Sequence, residues 1–455
     1  MLLLAAMSST LISPPTGAAA AGIGYGSTAD ADWRQDGGDP GRSGHQALTG
    51  PLDAAAAKHL RPAWAAPATR PGEQVGGAIV IDGTVLRASG GPSGQIRRYD
   101  AATGHDLGPV VDAPGLAFGP LAAAGDTLLV EAVERPALRR TLRAYTFRGE
   151  RQWTVDLPDA VSGGFTAAGD LILRAAGDTL TAYRTADGSA AWTAQLGGEP
   201  GFRVPVRLGD LVLQGIEPGG ITSIGTEPAT PGASGVESNG TSGTSGVESN
   251  GTNGVESNGT NGTNGVESNG TQPAIAAFDA RTGAQVWRRA ASGAELVAAG
   301  DAVYAVGERG ICAYTAADGA RRWCDAQTLE APVHASLGDG ALFVVDGHGG
   351  LAAFDTGTGA PRWRTSYGLN AEVDASYWAP VNGGGVVYAM VYHFAVRGGV
   401  STHRVELVAA DTSTGRLIRR LEVGVDAMRG EEPLLLAGDH VYFAAVQKLH
   451  AFSAS

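Results

Sequence analysis

The chain has 455 residues, with 33 Lys and Arg against 46 Asp and Glu, a formal net charge of −13. That balance excludes the broad basic surface a nucleic-acid partner requires. Glycine is abundant at 69 residues, about twice the usual ~7%, which calls for many tight turns, and the length allows several domains or one large repeat array.

In chain order, residues 1–22 come first. "MLLLAAMSSTLI" is a short apolar run and "TGAAAAG" a small-residue stretch suited to cleavage, a pattern similar to an export signal without its basic n-region. The run is short of the ~20 residues of a membrane span, and no Cys follows it for lipid attachment. The expectation is a secreted or cell-envelope protein with no span beyond this signal. A leader over 32–59 follows, with "DWRQDGGDPGRSG" at 32–44. Trp33 and Arg42 are its candidate anchors on the body of the protein, and "LDAAAAKHL" (52–60) predicts a short helix.

From residue 60 to 455 one unit recurs: a short apolar stretch, a Gly/Asp turn, a second apolar run, and an eleven-letter signature such as "AFDARTGAQVW" (277–287). Apolar runs of four to six residues cut by Gly and Asp read as strands joined by hairpins. The turns fall at Asp82-Gly83, Gly125-Asp126, Gly169-Asp170, Gly209-Asp210, Gly300-Asp301, Gly338-Asp339, Gly383-Gly384 and Gly438-Asp439. The signatures centre on Tyr99, Tyr145, Tyr183, Phe278, Tyr314, Phe354, Ala410 and Phe452. Eight of each, mostly 38 to 55 residues apart, predict an all-β chain: an eight-bladed β-propeller of four-stranded antiparallel blades. The last signature, "LHAFSAS", stops before its Trp strand, and "LRPAWAA" (60–66) is a Trp strand without a signature. Pairing the two closes the ring and hides two edges.

The full pattern is Ala-x-Asp-x-x-Thr-Gly-x-x-x-Trp, intact at Ala277 to Trp287 and Ala353 to Trp363. Asp and Thr flank a turn whose amides they can bind, Gly supplies positive φ, and Trp falls opposite Ala, leaving room for an indole between blades. Trp64, Trp153, Trp192, Trp287, Trp323 and Trp363 are the candidate docking residues. Gly108 and Arg419 occupy the other two places, so those interfaces are expected to be weaker and more mobile. This pattern resembles the tryptophan-docking repeat of the pyrroloquinoline-quinone (PQQ)-binding-like, or quinoprotein alcohol dehydrogenase-like, propellers, and the 32–44 leader resembles the segment found before them.

Within the propeller, residues 229–271 are low in complexity: "GVESNGT" occurs four times and Asn-Gly-Thr five times. Nothing there can build a core, so a disordered polar insert joining two strands of one blade is expected. The triplets match a glycosylation acceptor, but a polar spacer is the simpler reading.

The resemblance implies an enzyme reading: PQQ-dependent oxidation of an alcohol or aldose, with calcium. Such enzymes carry an adjacent Cys-Cys pair, and this chain has none. Asp346 and Asp374 sit in no arrangement that marks a base or a calcium site, so no catalytic or metal residue is assigned and no cofactor is predicted outside that alternative. Cys312 and Cys324 fall opposite each other in the Ala313–Trp323 register, which allows a disulfide; two reduced thiols are the rival reading. His45, His334, His348, His393 and His403 are scattered, and "SYWAP" (376–380) reads as core before it reads as an aromatic platform. The function expected is a non-enzymatic, exported, monomeric scaffold for a protein or small ligand. A PQQ dehydrogenase and a glycan-binding module are the alternatives.

Overall fold

The computed structural model describes residues 32–47, 52–67, 74–90, 94–134, 136–158, 163–200, 203–217, 272–291, 295–307, 310–325, 329, 332–368, 373–375, 378–397, 400–423, 434–445 and 448–454. The export-signal region and the low-complexity insert lie outside them. The strands form eight sheets. Blade 1 contains Gln74–Ile81, Thr84–Gly90, Gln95–Asp100 and Asp106–Asp112. Blades 2 to 6 follow in the same order, ending with Pro361–Ser366. Blade 7 has Val381–Gly383, Val386–Arg397, Val400–Asp411 and Leu417–Glu422. Blade 8 takes Leu434–Ala437, His440–Ala444 and Lys448–Ser453 from the end of the chain and Arg61–Pro67 from its beginning. That last pairing, Trp64 opposite Ala451, closes the ring.

The strands alternate as their letters require. Second strands such as Ala341–Asp346 are buried throughout, whereas fourth strands such as Pro361–Ser366 alternate exposed and half-buried. In every blade a two-residue turn joins strands one and two. Gly125, Gly169, Gly209, Gly300 and Gly438 take positive φ at the first turn position; at Asp82-Gly83, Asp339-Gly340 and Gly384-Gly385 both residues do. These are the two turn families whose twist suits a hairpin. Two turns therefore sit one residue later than the sequence indicated, because "GDG" and "GGG" leave the register open and the choice falls to strand pairing. The predicted helix over 52–60 is also corrected. Only Ala56–His59 winds, as a 3-10 turn, with Asp53 Oδ1 holding the amides of Ala55 and Ala56 at 2.9 and 2.8 Å.

The signature residues tie blade to blade. Asp279 Oδ1 accepts from the Thr282 amide and hydroxyl at 2.8 and 2.7 Å, and the same brace recurs at Asp355 and Thr358. Trp64, Trp153, Trp192, Trp287, Trp323 and Trp363 each stand opposite an alanine of the third strand. Each Nε1 donates to a main-chain carbonyl of the next blade at 2.7–3.0 Å: Ala101, Thr185, Ala280, Ala316, Thr356 and Thr412 in turn. The signature glycine of that next blade lies under the indole, where a methyl would overlap the ring.

The two departures have a structural reason. Blade 8 draws its third and fourth strands from opposite ends of the chain, so it has no three-to-four hairpin and no glycine to receive an indole. Arg419 of blade 7 instead donates through Nε to the Leu60 carbonyl at 3.1 Å. Between blades 1 and 2, the strand carrying Gly108 is bulged, and Gly149 of blade 2 lies directly against the Val110 carbonyl. Finally, Cys312 and Cys324 pair across strands three and four of blade 5 and form a disulfide, Cα–Cα 4.1 Å.

Candidate functional site

Within its own blade each first strand pairs on one side only, so its other edge faces the axis. The first strands touch their neighbours round a full circle, blade 8 against blade 1 included. Eight bare edges are unsatisfied polar surface, and the leader caps them.

Between Trp33 and Gln46 the leader circles the axis once and meets each blade in sequence order. Trp33 and Val80 exchange N–H···O bonds of 2.8 and 2.9 Å in blade 1, and the Ala123 amide of blade 2 donates to the Arg34 carbonyl at 2.8 Å. Gln35 reaches blade 3 with its side chain: Oε1 accepts from the Ala167 amide at 2.9 Å and Nε2 donates to the Ala167 carbonyl at 3.1 Å. Arg207, Ala298, Leu337 and Asn382 of blades 4 to 7 donate to the carbonyls of Pro40, Gly41, Ser43 and Gly44 at 2.6–2.8 Å. His45–Gln46 then runs parallel to Asn382–Gly383 as an added strand, and Gln46 Nε2 donates to the Leu436 carbonyl of blade 8 at 3.4 Å. In each blade one of these hydrogen bonds falls on the penultimate residue of the first strand. The leader therefore shuts the axial channel at the end where the one-to-two turns lie. The "DWRQDGGDPGRSG" stretch was the only sequence signal of this arrangement, and its spacing carries no periodicity from which the circuit could be read.

The side chains of this floor are charged and braced. Arg42 pairs with Asp36 at 2.8 Å. Asp39 accepts from the amides of Gly41 and Ser43 at 2.7 and 3.3 Å and from the Ser43 hydroxyl; burial outweighs these bonds and holds its carboxyl above the ordinary value. His45 Nδ1 meets Asn382 Oδ1 at 2.7 Å. Further along the axis His334 of blade 6 is bound to Glu295 of blade 5. Burial opposes the charged imidazole, but the Glu295 carboxylate overcomes it and raises the His334 pKa; Arg42 and Asp36 of the leader also act on its charge. Trp33 is 1% exposed, and its ring packs under Gly38.

The remaining residues singled out from sequence lie elsewhere. The six signature tryptophans sit on fourth strands, between blades. Trp378 is buried edge-on against Phe443. His393 is buried with Glu406 at 3.1 Å, while Glu406 also takes Arg420 and Arg404 at 2.7 and 2.9 Å. His403 Nδ1 bonds the Tyr392 hydroxyl at 2.8 Å. The His348 amide donates to Asp346 Oδ1 in a turn.

The residues that the enzyme alternative would draw on are placed as follows. Both cysteines are committed to the outer hairpin of blade 5, and among the described residues no three of His, Cys, Asp and Glu converge to hold a metal.

A closed ring of four-stranded blades locked by indoles, with its axis capped by a leader, defines a PQQ-like propeller. Residues 92–224 and 271–455, more than half of the chain, match the family described as outer membrane protein assembly factor BamB, and the chain belongs to that family. Among solved structures it resembles the quinohemoprotein alcohol dehydrogenase ADHIIG from Pseudomonas putida HK5, at 11% identity and TM-score 0.60, over 94% of this chain and 81% of that one. It also resembles BamB from Moraxella catarrhalis, at 15% identity and TM-score 0.54, over 87% and 97%. A computationally designed protein, Ika8, is similar at 12% identity and TM-score 0.55, over 84% and 96%. At these identities the likeness is one of fold. No curated protein matches the chain. Among the described residues, no helix is long and apolar enough to cross a membrane.

Proposed function

We propose that this chain is an exported, non-enzymatic propeller that acts as a monomeric scaffold for a protein or small ligand, in the cell envelope or outside the cell. The observation that carries the reading is the contrast between the two faces of the disc. On one face all eight one-to-two turns have two residues, each three-to-four connection has four or five, and the leader closes the axis. The other face holds the departures from the repeat. There, 57 residues separate Ile216 from Ala274, and the second and third strands of blade 7 are 12 residues each. Variable connections on a uniform frame are where binding surfaces arise. Membership of the family described as outer membrane protein assembly factor BamB supports the same reading.

The experiment has two arms. The full chain is supplied with PQQ and calcium and assayed for dye reduction with alcohols and aldoses; no turnover is expected, and turnover would overturn the reading. A photo-cross-linker is then placed at Asp178 on the variable face or at Asp126 on the turn face in the exporting host. Discrete adducts are expected from Asp178, whereas adducts from Asp126 alone would assign the partner to the wrong face.

A further inference from the structure

Blade 7 is built unlike the others. Val386–Arg397 and Val400–Asp411 pair without a bulge from Val386↔Asp411 to Arg397↔Val400, while second strands elsewhere have five to eight residues. At ~3.4 Å per residue the hairpin outreaches its neighbours by roughly 20 Å. The fourth strand covers only its base: Leu417–Glu422 pairs with Glu406–Ala410, and the Val423 amide donates to the Val405 carbonyl at 2.8 Å. Beyond Val405, no described strand lies along that edge. Main-chain groups of one parity point to one edge. Val405 faces outward, so Ser401 and His403 also turn their N–H and C=O outward, while Thr402 and Arg404 turn theirs toward Ala395 and His393. Ser401, Thr402 and His403 are exposed.

Proteins protect bare strand edges with bulges, charges or proline. The fourth strands of this ring are protected: each pairing with its third strand contains a register break. The edge at "STH" has no break, no proline and no Lys or acid. The hairpin itself is stiffened. Phe394 and His403 face each other at 5.0 Å, the Tyr392 hydroxyl holds His403, and Glu406 ties His393, Arg404 and Arg420 at its base. The same sheet already accepts extended segments at its other edges, His45–Gln46 on Val381–Gly383 and Val373–Ala375 on the outer half of Val386–Arg397.

We propose that the Ser401–His403 edge of blade 7 is a docking site for an extended segment of a partner protein, which adds a strand through main-chain hydrogen bonds. The site stands beside the scaffold reading and does not depend on it, since turnover with a quinone would leave the edge unaffected.

The test begins with residue-resolved amide exchange of the isolated full chain. The Ser401 and His403 amides are expected to exchange fast and those of Thr402 and Arg404 slowly. Protection of Ser401 and His403 in the isolated chain would show that residues 424–433 or a second copy already fill the edge, and would overturn the proposal. Linear peptides are then selected from a displayed heptamer library on the wild-type chain. A selected peptide should protect Ser401 and His403 and bind Ser401→Pro about tenfold more weakly, since one edge N–H is lost while Thr402 and Arg404 stay protected. Methylating alternate amides of the peptide should weaken binding similarly with the protein unaltered. Undiminished binding to Ser401→Pro, or by the methylated peptide, would overturn it.

Discussion

The indole of Trp363 in blade 6 rests on the α-carbon of Gly415 in blade 7, and its Nε1 donates to the Thr412 carbonyl of the same turn at 2.9 Å. Gly415 has φ +67°, so alanine there meets two obstacles: a left-handed backbone and an occupied space. Gly415→Ala is expected to cost about 2–4 kcal/mol, read from the denaturant midpoint at unchanged slope. An unshifted midpoint would show that the indole is not held there.

Removing the indole tests the same contact from the other side. Trp363→Ala should cost about 3–5 kcal/mol. Arg419→Ala, at the equivalent place in blade 7, gives up one charge-assisted bond to Leu60 and should cost about 1–2 kcal/mol. Equal losses would contradict the different packing of the two interfaces.

The Cys312–Cys324 disulfide closes a loop of 12 residues, for which chain entropy gives about 3 kcal/mol. Reductant should lower the Tm of the wild-type chain and leave Cys312→Ser/Cys324→Ser unchanged. A reductant-sensitive double variant would locate the effect elsewhere.

Acid should loosen the turns. Arg362, then Thr358, hold the Asp355 carboxyl down to about 2, and Thr or Ser partners lower Asp100, Asp187, Asp279 and Asp411 in the same way. A depressed carboxyl binds protons more readily in the unfolded chain, so its stabilisation is complete above the unfolded value of about 4 and fades as pH falls toward 2. Urea midpoints should drop over that window, and Asp355→Asn should flatten the drop. An identical slope in the variant would rule Asp355 out as a contributor.

The leader can be unseated by one methyl. Gly41 needs no unusual φ, yet a β-carbon on it would overlap the Ala298 carbonyl oxygen. Gly41→Ala should expose residues 36–44 to limited proteolysis well before the blades are cut. Equal resistance in both proteins would mean that the leader tolerates displacement at blade 5.

The ring was legible because its rule is local. The eleven-letter spacing puts Trp opposite Ala across one hairpin, and the same arithmetic aligns Cys312 with Cys324. Repetition supplied the blade number, and the unmatched ends supplied the closure. The leader circuit was not legible, because each contact joins a residue of 33–46 to a strand up to about 390 residues away, and six of the eight blades are met through main-chain groups that carry no letter. Arg419 read as a defect because the missing hairpin of blade 8 is a property of the closed ring. The long hairpin of blade 7 was hidden for a simpler reason: "VVYAMVYHFAVRGGVSTHRVELVAAD" is apolar enough to pass for ordinary strands, and only pairing reveals its full length.

The path of the leader also gives the disc a polarity. Asp32 and Arg34 bind at the turns of blades 1 and 2, through the Asp82 amide and the Gly125 carbonyl, so the leader starts on the turn face. Ile216 and Ala274, the strand ends on either side of the blade 4 insertion, lie at the opposite face. The leader therefore enters on the flat, uniform side of the disc, and the long hairpin of blade 7 stands on the side away from that entry.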